Sequence, residues 1–168
     1  MASLKKTLLT LLIAVLVISG SASSQTVLSS ADESAIQAKV VLLHDQWNRH
    51  DMAGYTSNMT EDVQWINVVG AWWKGKSQVF GTLDQYHKTI FKERQLYPAE
   101  KLAIRQIAPN VIVSTMINPA DAYTNSLGVK QPPTRNMLTL IWVKQNGAWL
   151  IAQAQNTIEA PAAPPKQN

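Results

Sequence analysis

Residues 134–157 read Thr-Arg-Asn-Met-Leu-Thr-Leu-Ile-Trp-Val-Lys-Gln-Asn-Gly-Ala-Trp-Leu-Ile-Ala-Gln-Ala-Gln-Asn-Thr. Two runs rich in β-branched and aromatic side chains flank Asn146-Gly147, a dipeptide suited to the positive φ angles of a two-residue hairpin turn, which predicts strands over 134–145 and 148–157. Simple alternation along the last strand sets Trp149, Ile151, Gln153 and Gln155 on one face, apolar at one end and amide at the other. Upstream, strands are expected over about 100–108 and 110–118 around a turn at Pro109-Asn110, followed by a longer, mobile connection from Asn125 to Pro133. The period changes before Pro98. Ser30-Ala31-Asp32-Glu33 reads as a capping box, and Ile36, Val40, Leu43 and Trp47 mark one stripe of a helix over about 31–50. Asp51 can cap a short second helix carrying Met52, Tyr55 and Met59, and Ser77 a third whose stripe is Val79, Leu83, Tyr86 and Ile90, with Phe80, His87 and Phe91 beside it. Between them Asp62–Val69 alternates as a strand, with Val63, Trp65 and Asn67 on one side. Helices first and strands afterwards specify an α+β domain, a curved antiparallel sheet wrapped around the long third helix in a cone whose wide end leaves a pocket.

The first two dozen residues carry a different signal. Lys5 and Lys6 precede an apolar stretch from Leu8 to Ile18, and Ser21, Ala22, Ser23 and Ser24 supply small residues for a peptidase, the pattern of a cleavable secretory signal over 1–24. Gly20 and the serines interrupt it before the roughly 20 apolar residues that a membrane-spanning helix needs. Cleavage would leave Gln25 first, residues 25–30 as a linker, a domain over 31–158 and a disordered Pro- and Ala-rich tail over 159–168. It would also lower the formal charge from +4 to +2. The remaining basic residues are scattered rather than clustered, which argues against a nucleic-acid partner. With no cysteine in 168 residues there is no disulfide framework, thiol nucleophile or thiolate metal site, a composition suited to a bacterial periplasm or to secretion. Asn58-Met59-Thr60 matches a glycosylation acceptor, which would be silent in a bacterium.

Trp47-Asn48-Arg49-His50-Asp51-Met52, Glu61-Asp62, Ile66-Asn67-Val68-Val69-Gly70 and Trp73-Lys74-Gly75-Lys76 resemble the SgcJ/EcaC group of SnoaL-like proteins, in the nuclear transport factor two-like superfamily. His87, Phe91, Pro109-Asn110-Val111, Arg135, Leu138-Thr139-Leu140, Gly147, Trp149, Ile151 and Gln155-Asn156-Thr157 continue the match in the same order, so that it spans roughly residues 33–158. The resemblance implies the cone-shaped fold and a homodimer formed through the sheet, with neither a cofactor nor a defined reaction. Group members often carry a second histidine one turn before the position of His87, where this chain has Leu83.

His87 is the candidate catalytic residue, a proton carrier if its imidazole points into the cone; the competing reading is a core histidine bonded to a backbone carbonyl. His44 and His50 read as surface residues of the first helix, and the histidine spacings fit no metal site. Steroid isomerases of the superfamily use a carboxylate borne on a strand, and here the strand interiors hold almost no acid: Asp62 caps a strand mouth and Asp121 lies near a hairpin end. The strands carry neutral polar and aromatic groups instead. Trp65, Asn67, Trp73, Tyr86, Phe91, Met116, Gln153 and Gln155 are the candidate ligand contacts, with Arg135 a possible carboxylate binder at the rim or a solvated strand residue. The expected partner is a small, uncharged or aromatic molecule, bound for acid-base chemistry or simply held by a non-catalytic module.

Overall fold

Ser29, one residue before the predicted position, caps the first helix. Its hydroxyl accepts from the Asp32 backbone N–H at 3.1 Å and donates to the Asp32 carboxylate at 2.8 Å, so the capping motif is in place but shifted in register. In the computed structural model, which describes residues 27–159, helix α1 (Ser30–Asn48) buries Ile36, Val40 and Leu43 along the stripe that their spacing predicts. The predicted signal segment and the tail from Ala160 lie outside the described residues. Helix α2 (Met52–Ser57) is capped by Asp51, and Met59 belongs not to it but to strand β1 (Met59–Ile66), which starts three residues before Asp62. Asn58 is buried and donates to the Gln46 side chain at 3.1 Å, so the acceptor-like tripeptide presents no exposed amide.

Strand β2 (Trp72–Lys74) leads through Gly75 into helix α3 (Lys76–Lys88). Gly75 adopts φ 83°, which an L side chain would resist, and it starts the helix without a side-chain cap; Ser77 lies exposed inside the first turn. The buried stripe of α3 is Val79, Leu83 and His87, with Tyr86 half-buried beside it. Strands β3 (Lys101–Ala108), β4 (Val111–Ala120), β7 (Thr134–Gln145) and β8 (Ala148–Ile158) complete the main sheet. Asn146 and Gly147 take φ 49° and 81°, as a two-residue hairpin turn requires. The connection from Asn125 carries the turn and second strand of a small hairpin, β5 (Tyr123–Thr124) and β6 (Lys130–Gln131), organised by Asn125, whose side chain accepts from the N–H groups of Leu127 and Val129.

The main sheet runs β2-β1-β8-β7-β4-β3. It is antiparallel except where β1 lies parallel to β8, with Trp65 opposite Ala154, so a sheet expected to be wholly antiparallel is mixed. Its concave side packs on the helices. Trp142, fully buried, satisfies its indole N–H on Ser114 Oγ at 2.8 Å, as a buried polar group must.

One irregularity re-aims the last strand. Across β7 and β8, Ile141 pairs with Gln153 and Trp142 with Ile151, leaving Ala152 as an extra residue. Because side chains alternate with a period of two, one inserted residue exchanges the faces beyond it. Trp149 and Ile151 are buried as predicted, but Ala154 and Asn156 take the inward positions and Gln155 is exposed, which overturns the single face drawn through Gln153 and Gln155.

The two ends of the fold meet at Asp32. Its carboxylate accepts from Lys144 Nζ at 2.7 Å and Trp149 Nε1 at 2.9 Å, and these bonds, with the one from Ser29, hold its pKa down at about 2. A carboxyl whose folded pKa is depressed contributes its full stabilisation above its unfolded value, near 4, and loses it as pH falls toward about 2. Asp32→Asn should therefore unfold at lower denaturant concentration than the native chain at pH 7, with the difference closing between about pH 4 and pH 2. Urea melts of both proteins across that range measure it, and a gap independent of pH would show that the charge has no part in the tie.

Candidate functional site

A cavity of about 80 Å³ lies between the concave face of the sheet and the helices. Its helical side is aromatic: Trp47 of α1, Tyr55 of α2 and Tyr86 of α3, with Leu83 between them and Phe91 from the segment after α3. These rings brace one another edge to face, Trp47 against Tyr55 at 6.0 Å between centroids and Tyr86 against Phe91 at 5.7 Å, with Trp73 packed on Tyr86 at 6.1 Å. Trp65 of β1 and Trp73 of β2 close the near wall, with Asn67 and Val68 just past the end of β1. Asn67 accepts from the backbone N–H groups of Val69 and Ala71, at 3.1 and 2.8 Å, so its side chain shapes the turn while bordering the cavity.

The opposite wall is polar. Asn118 and Asn136 are direct partners across β4 and β7, and Asn156 stands opposite Leu138 across β7 and β8, which places three inward amides on neighbouring strands. Two buried polar atoms on these walls, Trp47 Nε1 and Asn156 Oδ1, have no hydrogen-bond partner among the described residues. Arg94 also borders the cavity although it is only 5% exposed. It reaches there because α1 pins its segment: Asn48 exchanges hydrogen bonds with both the N–H and the carbonyl of Leu96, and His44 Nε2 lies 3.0 Å from the same carbonyl. His44, expected on the surface, is thus half-buried and structural.

His87 is buried against Trp47, with ring centroids 4.3 Å apart, and against Phe91, but it does not border the cavity. Its Nδ1 lies 2.7 Å from Nδ1 of His50, one imidazole donating and the other accepting, where a backbone carbonyl had been the expected partner. His50 reaches it because its backbone turns left-handed, at φ 57°, just beyond α1; its residue is exposed as expected, but its ring is engaged. The Nε2 of His87 is buried without a partner among the described residues. Burial first, and the neighbouring His50 second, push the His87 pKa down to about 4 against a weaker opposing pull from Asp84, so this imidazole is neutral at pH 7.

Of the residues singled out in the sequence, Trp65, Asn67, Trp73, Tyr86 and Phe91 line the cavity. His87, Met116, Arg135, Gln153 and Gln155 do not. Met116 is buried in the core. Arg135, considered for a ligand carboxylate, is already paired with Glu100 and, at 2.5 Å, with Glu159. Gln153 and Gln155 are turned away by the bulge at Ala152. The wall residues that sequence reasoning missed include Arg94, Asn136 and Asn156. Asn136 did carry a signal, an amide on the same parity as Leu138, Leu140 and Trp142; Arg94, inside Lys92-Glu93-Arg94-Gln95, carried none. Among the described residues no group of three or more His, Cys, Asp or Glu is placed to hold a metal ion.

The crystal structure of an uncharacterized protein with a cystatin-like fold from Caulobacter vibrioides superposes with a TM-score of 0.74 at 30% identity, over 77% of this chain and 90% of that one. A protein of unknown function from Pseudomonas putida, described as nuclear transport factor two-like, matches over 83% of this chain and 94% of its own, at TM-score 0.67 and 16% identity. The chain has the cystatin-like fold of the Caulobacter protein, a fold it shares with the nuclear transport factor two-like protein. A ketosteroid isomerase-like protein from Erwinia carotovora shares the fold at TM-score 0.64 and 16% identity, over 79% of this chain and 100% of that one. No family profile and no curated protein sequence matches the chain.

The histidine pair makes a measurable demand. Between about pH 6.5, the ordinary histidine value, and about pH 4 the unfolded chain binds a proton at position 87 that the folded chain refuses, so stability should fall as pH is lowered through that window. Nuclear magnetic resonance titration of the imidazoles should place His87 near 4, and His87→Gln should flatten the stability slope between those pH values. A normal histidine midpoint at His87 would contradict the buried, neutral ring.

Proposed function

We propose that this is an exported SnoaL-like protein of the SgcJ/EcaC type that binds a small, largely apolar or aromatic molecule in the cavity between α3 and the sheet. The observation that carries the reading is the pair of buried polar atoms without a partner among the described residues, Trp47 Nε1 on the aromatic wall and Asn156 Oδ1 on the amide wall facing it. An unpaired buried donor or acceptor costs about 1–3 kcal/mol, and a bound molecule offering one acceptor and one donor would remove that cost at both atoms. Aromatic walls with a few convergent polar groups are what orient a small ligand.

No Asp, Glu or His is among the residues lining the cavity, and His87 stands behind Trp47 and Phe91. This favours a binding module over an enzyme with a carboxylate or imidazole base. Export rests on the basic, apolar and small-residue run of residues 5–24, and a homodimer through the outward face of the sheet rests on the family resemblance.

Mass spectrometry of the protein purified from its own periplasm, under native conditions, should show a copurified small molecule and, after denaturation, a chain beginning at or within two residues of Gln25. Leu138→Trp, which fills the cavity from β7 without touching the aromatic wall, should keep the circular dichroism spectrum and weaken binding of phenol, followed by quenching of tryptophan fluorescence, at least about tenfold. Unchanged phenol binding in that variant would place any ligand elsewhere.

A further inference from the structure

Among the described residues Arg94 is the one cation on the cavity wall, and it is buried without a paired carboxylate. Among the described residues no Asp or Glu oxygen forms an ion pair with it. Its Nε donates to the Asp121 carbonyl at 3.1 Å and its Nη2 to Thr134 Oγ1 at 2.7 Å. The Asp121 carboxylate is engaged elsewhere, accepting from the Tyr97 hydroxyl at 2.9 Å. The guanidinium carbon sits 4.4 Å from the ring centre of Tyr123 and 5.2 Å from that of Phe91, two rings that stand edge to face 5.3 Å apart, so the cation rests against an aromatic corner. Nη1 has no hydrogen-bond partner among the described residues.

A guanidinium does not shed its proton, and burial disfavours its charge, so the cation remains and its desolvation must be offset by whatever faces it. Two neutral acceptors, two rings and the more distant charge of the Asp121 carboxylate meet part of that need. Arg135 gives the contrast within the same chain: far more exposed, it is held by two carboxylates. The surroundings of Arg94 extend its polarity into the cavity, because Thr134, which accepts from it, donates in turn to Asn136 at 3.2 Å, and Asn136 faces its cross-strand partner Asn118. On its other side Arg94 borders a groove of about 340 Å³ lined also by Lys92, Lys130 and Tyr123, with Glu93 the single acid.

We propose that the ligand of this cavity is a small carboxylic acid, its carboxylate held by Arg94 beside Asn118 and Asn136 and its apolar body lying against Trp47, Trp65 and Phe91. This rests on the ligand-binding reading above and specifies the chemical class. The carboxylate is chosen because a planar fork of N–H donors matches two coplanar oxygens, and because the cavity, at about 80 Å³, holds only a few heavy atoms beyond that group. Lys92 and Lys130 give the approach from the groove a positive potential.

The test compares acids with alcohols of the same skeleton, butyrate with butanol and benzoate with benzyl alcohol, by isothermal titration calorimetry on the native protein. The acid of at least one pair should bind at least about tenfold more tightly, as expected for a charge-assisted hydrogen bond. Arg94→Gln should erase that preference, weakening the acid about 10–100-fold while leaving the alcohol within about twofold, and Arg94→Lys should retain part of it. Acid and alcohol binding equally well to the native protein would overturn the carboxylate assignment and leave the cavity reading standing. Binding of neither class would overturn both. An Arg94→Gln protein with native circular dichroism and undiminished acid affinity would also overturn the assignment, and if that variant does not fold, the native preference for acid over alcohol decides alone.

Discussion

Ala152 has no partner across the β7 and β8 ladder, and that one unpaired residue divides the last strand into two lengths with opposite facing. Before it, Trp149 and Ile151 pack into the core near the start of α1; after it, Ala154 sits under Trp65 and Asn156 reaches the cavity. Without the insertion the alternation would send Gln153 and Gln155 inward, and the position opposite Trp65 would have to take a bulkier amide in place of an alanine methyl. The parallel pairing of β1 with β8 depends on the same adjustment, because its register is also interrupted between Met59 and Gln64. The core and the hollow are therefore two consequences of one irregularity in backbone pairing.

The hollow persists because of what surrounds it. Large planar rings cannot shrink into a gap as flexible aliphatic chains do, and here they support one another: Trp47 leans on Tyr55 and Phe91, Tyr86 on Trp73, and Phe91 on Tyr123. Trp47 in turn rests on His87, whose ring is anchored through His50 at the end of α1. The histidines thus act on the cavity from behind, by positioning its aromatic wall, rather than by facing what it contains. Burial and the neighbouring His50 keep that ring uncharged, with its pKa lowered to about 4.

Local signals were legible in the residues and long-range ones were not. The spacing of Ile36, Val40 and Leu43, the Asn146-Gly147 turn and the alternation of Val63, Trp65 and Asn67 all state their conformation within a few residues, and each is realised. The α+β class and the curved sheet follow from such local readings. Helix starts differ by small steps, Ser29 in place of Ser30 because adjacent serines offer equivalent caps, and Gly75 in place of Ser77 because a backbone turn at positive φ starts α3 without any side-chain cap. The bulge could not be foreseen, since Ala-Gln-Ala-Gln is as regular an alternation as a strand can show and its break is imposed by the partner strand. Arg94 was hidden for a related reason: between Glu93 and Gln95 it reads as solvated surface, and only the clamp of Asn48 on Leu96, far away in sequence, turns it inward. Of the five named contact residues that share the cavity, four are large aromatics and Asn67 is placed by its turn at the end of β1, whereas the amides of β4, β7 and β8 depend on register.

The tie between Asp32 and the pair Lys144 and Trp149 spans 112 and 117 residues of chain. Synthesis delivers the first helix long before the final hairpin, so α1 has no lasting anchor for its first turn until the last strand has appeared. The same holds for β1, whose neighbour β8 is the final element. Sheet pairing of such large sequence separation makes closure slow compared with helix formation, and it leaves the apolar stripe of α1 uncovered in the meantime. A chain of this design completes its fold all at once and late, and needs protection from its own kind until the hairpin docks.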